Sequence, residues 1–209
     1  MQIPKGFKVR GEKSEDGMPR AGLSVEGLVQ AAAELADEVG FDNVTVSALA
    51  RRFDVTVASL YSHLKNLDDL RVRVAALALT ELADRASDAL AGRAGKDALV
   101  AFANTYRDYA KRHPGRYTAA RLHITPDSPA AQPALRHTAL TRTILREYKL
   151  PESEQNHAVR LLGSTFHGFA SLESAGSFAN SPDLETSWSR VLDALHLALT
   201  NWAPCLTRR

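Results

Sequence analysis

The feature that most constrains the fold is the spacing of apolar residues, which recur every three or four positions from Ser24 almost to the C-terminus. The first such stripe runs from Val25 to Val39, with Ser24 placed to cap its start and Gly40 placed to end it. This spacing gathers apolar side chains on one face of an α-helix. Runs of alternating β-branched residues bounded by turn pairs, the signature of strands, do not occur in the sequence. The pattern therefore predicts an all-α protein.

Two short helices are predicted close together, followed by a long one from about Leu67 to Leu90. Thr45 is placed to cap the first short helix and Thr56 the second, and Asp54-Val55-Thr56 connects them. Two short helices joined by so brief a connector, and packed on longer helices, are typical of a DNA-binding helix-turn-helix. Periodicity alone leaves open a plain helical bundle.

The second short helix has two chemically different sides. Leu60 and Leu64 fall on one side and are expected to be buried. Small residues occupy the other side, which would let the backbone approach DNA bases in the major groove: Ala58, Ser59 and Ser62. Tyr61 and His63 could bind phosphates at the groove edge, and Arg51, Arg52 and Lys65 add positive charge nearby.

The charge balance limits what this region can do alone. The whole chain has 26 Lys and Arg against 24 Asp and Glu, a net charge of +2, which excludes a polybasic nucleic-acid coat. Between Thr45 and Lys65 the sequence has only three bases, Arg51, Arg52 and Lys65, against one acid, Asp54. Such a weak cationic footprint indicates that two copies are needed for tight DNA binding.

The run Val55-Thr56-x-Ala58-Ser59-Leu60-Tyr61-x-His63-Leu64, followed by Lys65-Asn66-x-Asp68-Asp69-Leu70, resembles the N-terminal domain of TetR-family transcriptional regulators. The resemblance covers about residues 24–70. It implies contacts with a double-stranded DNA operator from Thr45, Ser47, Thr56, Val57, Ala58, Ser59, Tyr61, Ser62, His63 and Lys65. One departure is Leu67, where the family usually has Lys, so Lys65, Arg71 or the N-terminal arm is expected to supply the missing charge.

Three parts of the chain are predicted. Residues 1–22 form a flexible basic arm, residues 23–70 the helix-turn-helix domain, and residues 71–209 an antiparallel helical bundle for effector binding and dimerisation. The arm has no helical or strand period, and it is either a disordered tail or a contact for DNA phosphates.

The last two helices are predicted to form a homodimer interface. The penultimate one is apolar nearly all round and contains small residues, so more than one of its sides should be covered. The expected interface residues are Leu161, Thr165, Gly168, Leu172, Val191, Leu195 and Leu199. The alternative is that both helices form only the core of a monomer.

The segment from Gly163 to Phe178 is similar to a Trp-His-Gly-type C-terminal domain of one TetR-family branch, with Phe166 in place of the tryptophan. This resemblance implies an effector-binding and dimerisation domain for an unnamed small molecule. Aromatic and apolar residues of the larger domain are the candidates for the pocket: Phe102, Tyr106, Tyr109, His123, Leu162, Phe166 and Phe169. The sequence favours the other interpretation for each of them, which is ordinary core.

The sequence shows few signs of an enzyme. It has no zinc-binding HExxH pattern, nucleophile elbow, phosphate loop or dinucleotide fingerprint, and its single cysteine is Cys205. We therefore expect no metal, no cofactor and no catalysis, although His167 with Glu173 leaves a helical metalloenzyme conceivable.

The longest apolar run, Val74 to Leu79, is too short for a membrane span, and no secretory signal is visible, so a cytoplasmic protein is expected.

The resemblance thus implies a dimeric regulator that represses transcription from a palindromic operator and is released by a small molecule, with activation as the open alternative. The remaining alternative is a helical adaptor that binds protein and does not bind DNA.

Overall fold

The computed structural model describes residues 23–178 and 183–202, and all regular structure in these ranges is helical, which confirms the all-α prediction. The basic arm and Cys205 lie outside the described residues. The helices are α1 (Val25–Val39), α2 (Val46–Phe53), α3 (Val57–Tyr61), α4 (Leu67–Leu90), α5 (Gly95–Arg112), α6 (Pro114–Ala119), α7 (Ala131–Leu145), α8 (Glu152–Ser174) and α9 (Leu184–Thr200). Short 3₁₀ turns cover Phe41–Asn43 and Arg146–Tyr148.

The first four helices begin where the sequence places polar caps. A side-chain oxygen accepts a hydrogen bond from a backbone N–H of the first turn at Ser24 (3.0 Å), Thr45 (3.1 Å), Thr56 (3.2 Å) and Asn66 (2.8 Å). Each bond satisfies a donor that the helix itself leaves unpaired, so these boundaries are fixed locally.

A first hydrophobic core joins α1, α2, α3 and the start of α4. Its centre consists of fully buried leucines, namely Leu28, Leu49, Leu60 and Leu70. This core holds the two short helices, which are too short to be stable in isolation.

Helix α4 belongs to two cores. Leu70 and Val74 lie in the first core, while Ala86 is buried in a second core formed with α5, α7, α8 and α9. The helix is 24 residues long, about 36 Å at 1.5 Å per residue, and it continues without a break past residue 70. One continuous helix therefore contributes side chains to both cores.

An ion-pair cluster links α5 to α8 and α9, with Arg107 and Glu173 buried and Glu185 largely exposed. The Arg107 guanidinium on α5 donates to Glu173 on α8 at 2.6 and 2.7 Å, and to Glu185 on α9 at 2.8 Å. It also lies 5.4 Å from the ring centroids of Phe169 and Trp188.

No helix among the described residues is long and apolar enough to cross a membrane.

Candidate nucleic-acid interface and effector cavity

The connector between α2 and α3 is a tight left-handed turn. Asp54 has φ +53°, a conformation that a short polar side chain tolerates better than most residues. The Val55 N–H donates to the Ala50 carbonyl at 3.0 Å and closes the turn. Leu60 and Leu64 then point into the first core, so the opposite side of α3 faces outward.

All ten residues predicted to contact DNA are accessible. Eight are exposed, namely Thr45, Ser47, Thr56, Val57, Ala58, Tyr61, Ser62 and Lys65. Ser59 and His63 are half-buried. Tyr61 is 51% exposed although its ring is largely apolar, and Val57 is 38% exposed. Since large apolar groups usually seek the core, their exposure on α3 indicates a surface kept free for a partner.

The hydroxyl groups of this surface are already partly engaged. Thr45 Oγ1 accepts the Ala48 N–H at 3.1 Å, and its own O–H remains free to donate to a phosphate. Thr56 Oγ1 accepts from the Ser59 N–H and shares a 2.9 Å hydrogen bond with Ser59 Oγ. Ser62 Oγ donates to the Ser59 carbonyl at 2.7 Å, so it offers an acceptor rather than a donor.

Two of the arginines expected to supply positive charge are held elsewhere. Arg52 donates to Glu34 at 3.0 Å and to Glu38 at 2.8 Å, and the pKa of its guanidinium is raised chiefly by the hydrogen bond that it donates to Glu38. Arg71 donates to the Asp42 carbonyl at 3.2 Å. Among the described residues, Arg52 is thus neutralised by carboxylates of α1 and Arg71 is tied to the turn after it, whereas Arg51 and Lys65 are exposed.

Helix α6 docks against the end of α1. Asp37 on α1 accepts from the Arg116 backbone N–H at 2.9 Å and lies 3.1 Å from His113 Nδ1. The Arg116 side chain pairs with Asp37 at 3.2 Å and with Glu81 on α4 at 3.1 Å. These ion pairs of Asp37, Arg116 and Glu81, which we call the α1–α6–α4 clamp, tie α6 to both α1 and α4.

The structure brings together four of the predicted pocket residues. The rings of Phe102, Tyr106 and Phe166 have centroids 6.1–6.3 Å apart, and Leu162 is buried in the same core as Phe102 and Phe166. Tyr109 is separate, because its hydroxyl donates to Glu81 at 2.8 Å. Phe169 packs on Trp188 with centroids 4.7 Å apart.

His137 is a cavity residue that the sequence reasoning missed. Its ring lies 5.6 Å from Tyr106 and 6.0 Å from Phe102, centroid to centroid. Burial lowers the pKa of His137 to about 4, so the imidazole is neutral at pH 7. The available signal was its position on the inner stripe of α7, one turn before Thr141 and two before Ile144.

A cavity of about 460 Å³ opens beside this aromatic cluster. Its lining comes from α4, α5, the segment after α6 and the start of α7, and includes Leu79, Tyr106, Arg121, His123 and His137. His123 is exposed at this cavity and does not join the rings of the cluster. The volume lies within the range of small-molecule sites.

The predicted interface residues divide into two groups. Leu172 is 47% exposed, and Leu161, Thr165, Gly168 and Val191 are half-buried. Leu195 and Leu199 instead fill the second core of the chain itself, at 6% and 0% exposure, because they face α5 and α8. Leu197, which the sequence reasoning overlooked, is 64% exposed on α9.

The residues considered for a metalloenzyme have other partners. Glu173 is paired with Arg107, which lowers the pKa of that carboxyl, and His167 Nδ1 lies 3.0 Å from the Tyr117 hydroxyl. Among residues 23–178 and 183–202, no three His, Cys, Asp or Glu side chains are grouped so that they could hold a metal ion.

Comparisons with known proteins agree with this architecture. A model described as bacterial regulatory proteins, tetR family, matches residues 28–74, and one described as tetracyclin repressor-like, C-terminal domain, matches residues 99–195. The uncharacterized HTH-type transcriptional regulator YobS of Bacillus subtilis is 33% identical, over 82% of this chain and 90% of its own length. The uncharacterized HTH-type transcriptional regulator Rv0681 of Mycobacterium tuberculosis is 35% identical, over 78% of this chain and 81% of its own length. The TetR-family protein ActR of Streptomyces coelicolor, solved in complex with (S)-DNPA, superposes with a TM-score of 0.64 at 20% identity, covering 88% of this chain and 100% of that one.

Proposed function

Because the chain belongs to the TetR family of bacterial regulatory proteins, we propose that it is a repressor that binds a palindromic operator as a dimer and is released by a small molecule. Members of this family are DNA-binding transcriptional regulators and not enzymes. The observation that carries the proposal is the two-sided α3, whose Leu60 is buried while Val57, Ala58 and Tyr61 are exposed.

Base recognition would rely on shape and apolar contact. Val57 and Ala58 have no side-chain hydrogen-bond donors or acceptors, so they can meet thymine methyl groups but cannot form bidentate pairs with purines. The hydroxyls of Thr56 and Ser62 add short-range polar contacts. A part of the sequence preference is therefore expected to come from the ease with which the DNA deforms.

Phosphate binding would come from the edges of the helix-turn-helix. Tyr61 and Lys65 are exposed and His63 is half-buried, so all three can reach the DNA backbone. The N-terminus of α4 adds backbone N–H groups and a favourable dipole, although Leu67 contributes no charge. So few cations per chain favour a dimer, since two copies double the phosphate contacts.

Helices α8 and α9 are the proposed dimer interface. A Cβ atom added at Gly163 or Gly168 would meet nothing within 4 Å, so packing inside the chain does not require glycine at either position. Glycine inside a helix costs up to about 1 kcal/mol relative to alanine, and close approach of a second helix is a reason to keep it. Leu172 and Leu197 supply exposed apolar surface on the same two helices.

The α1–α6–α4 clamp supports release by a ligand. Ala120 and Arg121, which directly follow α6, line the cavity of about 460 Å³, while Arg116 on α6 holds Asp37 and Glu81. A ligand that shifts the segment after α6 would move α1 and α4, and with them the spacing of the two α3 helices. Only a ligand that binds the two arrangements with different affinity can do this.

A small-molecule effector has one further support. ActR, which shares this fold, was solved in complex with (S)-DNPA.

We place the activity in the cytoplasm, where a bacterial regulator meets chromosomal DNA.

The direct test is selection of DNA by the purified protein from a random library, followed by gel shifts at several salt concentrations. A selected site with two inverted halves about one helical turn apart, and an affinity that falls steeply with salt, is expected. A helical adaptor would select no sequence, and an asymmetric site bound by a monomer would contradict the dimeric operator.

A further inference from the structure

The cavity beside the aromatic cluster has an unusual charge pattern. None of its lining residues carries a carboxylate, whereas Arg121, His123, His137 and the Tyr106 hydroxyl all bring polar groups that can donate hydrogen bonds. Leu79 and neighbouring apolar residues complete the wall. A cavity lined in this way attracts acceptors and negative charge on one side and an apolar body on the other.

Arg121 is the charged group at the cavity. No carboxylate lies within 4.0 Å of its guanidinium among residues 23–178 and 183–202. The groups beside it are neutral, because Tyr106 and Tyr117 hydroxyls adjoin it and burial raises the pKa of both phenols. The guanidinium shares hydrogen bonds with these two hydroxyls and is exposed at the cavity mouth, so only its remaining N–H donors are available to pair with a carboxylate.

His137 supplies a second and independent indication. Its Nε2 atom is buried and has no hydrogen-bond partner in the part of the chain that the structure describes. Leaving a buried polar atom unpaired is costly, so such atoms in native proteins usually have a reason. The His137 ring lines the cavity, but Nε2 itself has almost no exposed surface, so a ligand would reach this atom only after a neighbouring side chain moves.

From these observations we propose that the effector is a small carboxylic acid, whose carboxylate binds Arg121 and whose aromatic or aliphatic body lies against Leu79 and Tyr106. A second polar atom of the ligand would pair with His137 Nε2. This inference rests on the proposed function, because it names the ligand class of the same effector site. A cationic ligand is disfavoured, since the lining offers it no carboxylate.

The test uses the full-length protein and two fluorescent probes that share one aromatic system. Anilinonaphthalene sulfonate carries an anion in place of the carboxylate, and N-phenylnaphthylamine is its neutral counterpart. Each probe is titrated into the wild type, Arg121→Gln, and the control Arg112→Gln, which changes an exposed arginine at the end of α5 that does not line the cavity. Displacement of the bound sulfonate probe is then measured with phenylacetate, phenylacetamide, octanoate and octanamide. Comparing each acid with its amide tests the need for a carboxylate, and comparing the phenyl with the octyl compounds tests an aromatic against an aliphatic body.

We expect the sulfonate probe to bind the wild type and Arg112→Gln alike, and to bind Arg121→Gln at least tenfold more weakly. The neutral probe should change less than twofold, and each acid should displace the sulfonate probe better than its amide. Equal weakening of both probes, no effect of Arg121→Gln, or no binding of either probe would overturn the proposal. Gel shifts without ligand distinguish this proposal from the proposed function. If the wild type does not bind a selected operator, the proposal of a DNA-binding regulator is rejected. If it binds the operator but shows no preference for the anionic probe, only the carboxylic-acid effector is rejected.

Discussion

Gly115 lies directly against the backbone of Ala36, where a Cβ atom added to the glycine would stand only 2.0 Å from the carbonyl oxygen. The two residues belong to α6 and α1, so the backbones of these two helices are in direct contact. No side chain fits between them.

Gly115→Ala is expected to force α6 away from α1. Overpacking at a site that cannot relax costs roughly 1–3 kcal/mol or more, so the variant should unfold at a lower denaturant concentration and bind operator less well. Gly27→Ala is the matched control, because its added methyl would be 3.4 Å from Ser24 Oγ, an ordinary contact. Unchanged stability and DNA affinity in Gly115→Ala would show that α6 does not need this close approach.

Tyr61→Phe should weaken binding to all DNA sequences alike, because the exposed hydroxyl is expected to contact a phosphate. The loss of one hydrogen bond, about 0.5–1.5 kcal/mol, corresponds to a few-fold change in affinity per half-site. Gel shifts with specific and random DNA measure it. Tyr148→Phe, whose hydroxyl pairs with His196 inside the larger domain, is the control. A changed sequence preference at constant affinity would contradict the phosphate role.

Leu197→Glu should give monomers that fold normally. The side chain is 64% exposed in the single chain, so a charge there costs little until a partner covers it. Leu135→Glu is the control, since Leu135 is 62% exposed on α7. Sedimentation velocity measures the oligomeric state of both variants. A dimeric Leu197→Glu protein would reject the α8–α9 interface, whereas Leu195 is unsuitable for this test because it lies in the core.

Glu173→Gln should destabilise the fold by roughly 3 kcal/mol, because it leaves the Arg107 guanidinium buried with one carboxylate fewer. Asp84→Asn, which breaks an ion pair whose side chains are 48% and 57% exposed, should cost less than about 1 kcal/mol. Urea unfolding compares the two. Since Arg107 lowers the pKa of Glu173, the stabilisation is present above the usual carboxyl pKa and is lost as the pH falls through the lowered value. Equal costs in both variants would refute a special role for the buried pair.

His137 should make stability depend on pH. Burial lowers its pKa from 6.5 to about 4, so between these values the unfolded chain binds a proton that the folded chain does not. The free energy of unfolding therefore falls as the pH is lowered through this window, by up to about 3 kcal/mol at 1.36 kcal/mol per pKa unit.

Replacing His137 with Leu removes that contribution, so its stability curve should be flatter than that of the wild type from pH 6.5 to 4. His157→Leu changes an exposed histidine and serves as the control. Parallel curves for His137→Leu and the wild type would show that the imidazole is solvated in the folded state.

The sequence predicted the helices, their caps and the outward residues of α3 because these follow from local rules. Thr45 and Thr56 begin helices through bonds to residues only three positions away. The buried and exposed sides of α3 follow from its period once Leu60 is assigned to the core. The family resemblance supports the phosphate contacts predicted for Tyr61 and His63, which stay predictions, and the matches to family models confirmed the family.

Contacts between distant residues depended on how the helices pack, and the sequence by itself did not determine them. Arg107 meets Glu173 across 66 positions, and Arg52 is taken by Glu34 across 18. Leu195 and Leu197 differ by two residues, yet the rotation of α9 buries the first and exposes the second. Periodicity defines an apolar stripe but not which helix covers it. That choice, like the convergence of Arg121 and His137 on one cavity, is made only when the whole set of helices packs together, because packing free energy depends on every contacting side chain at once.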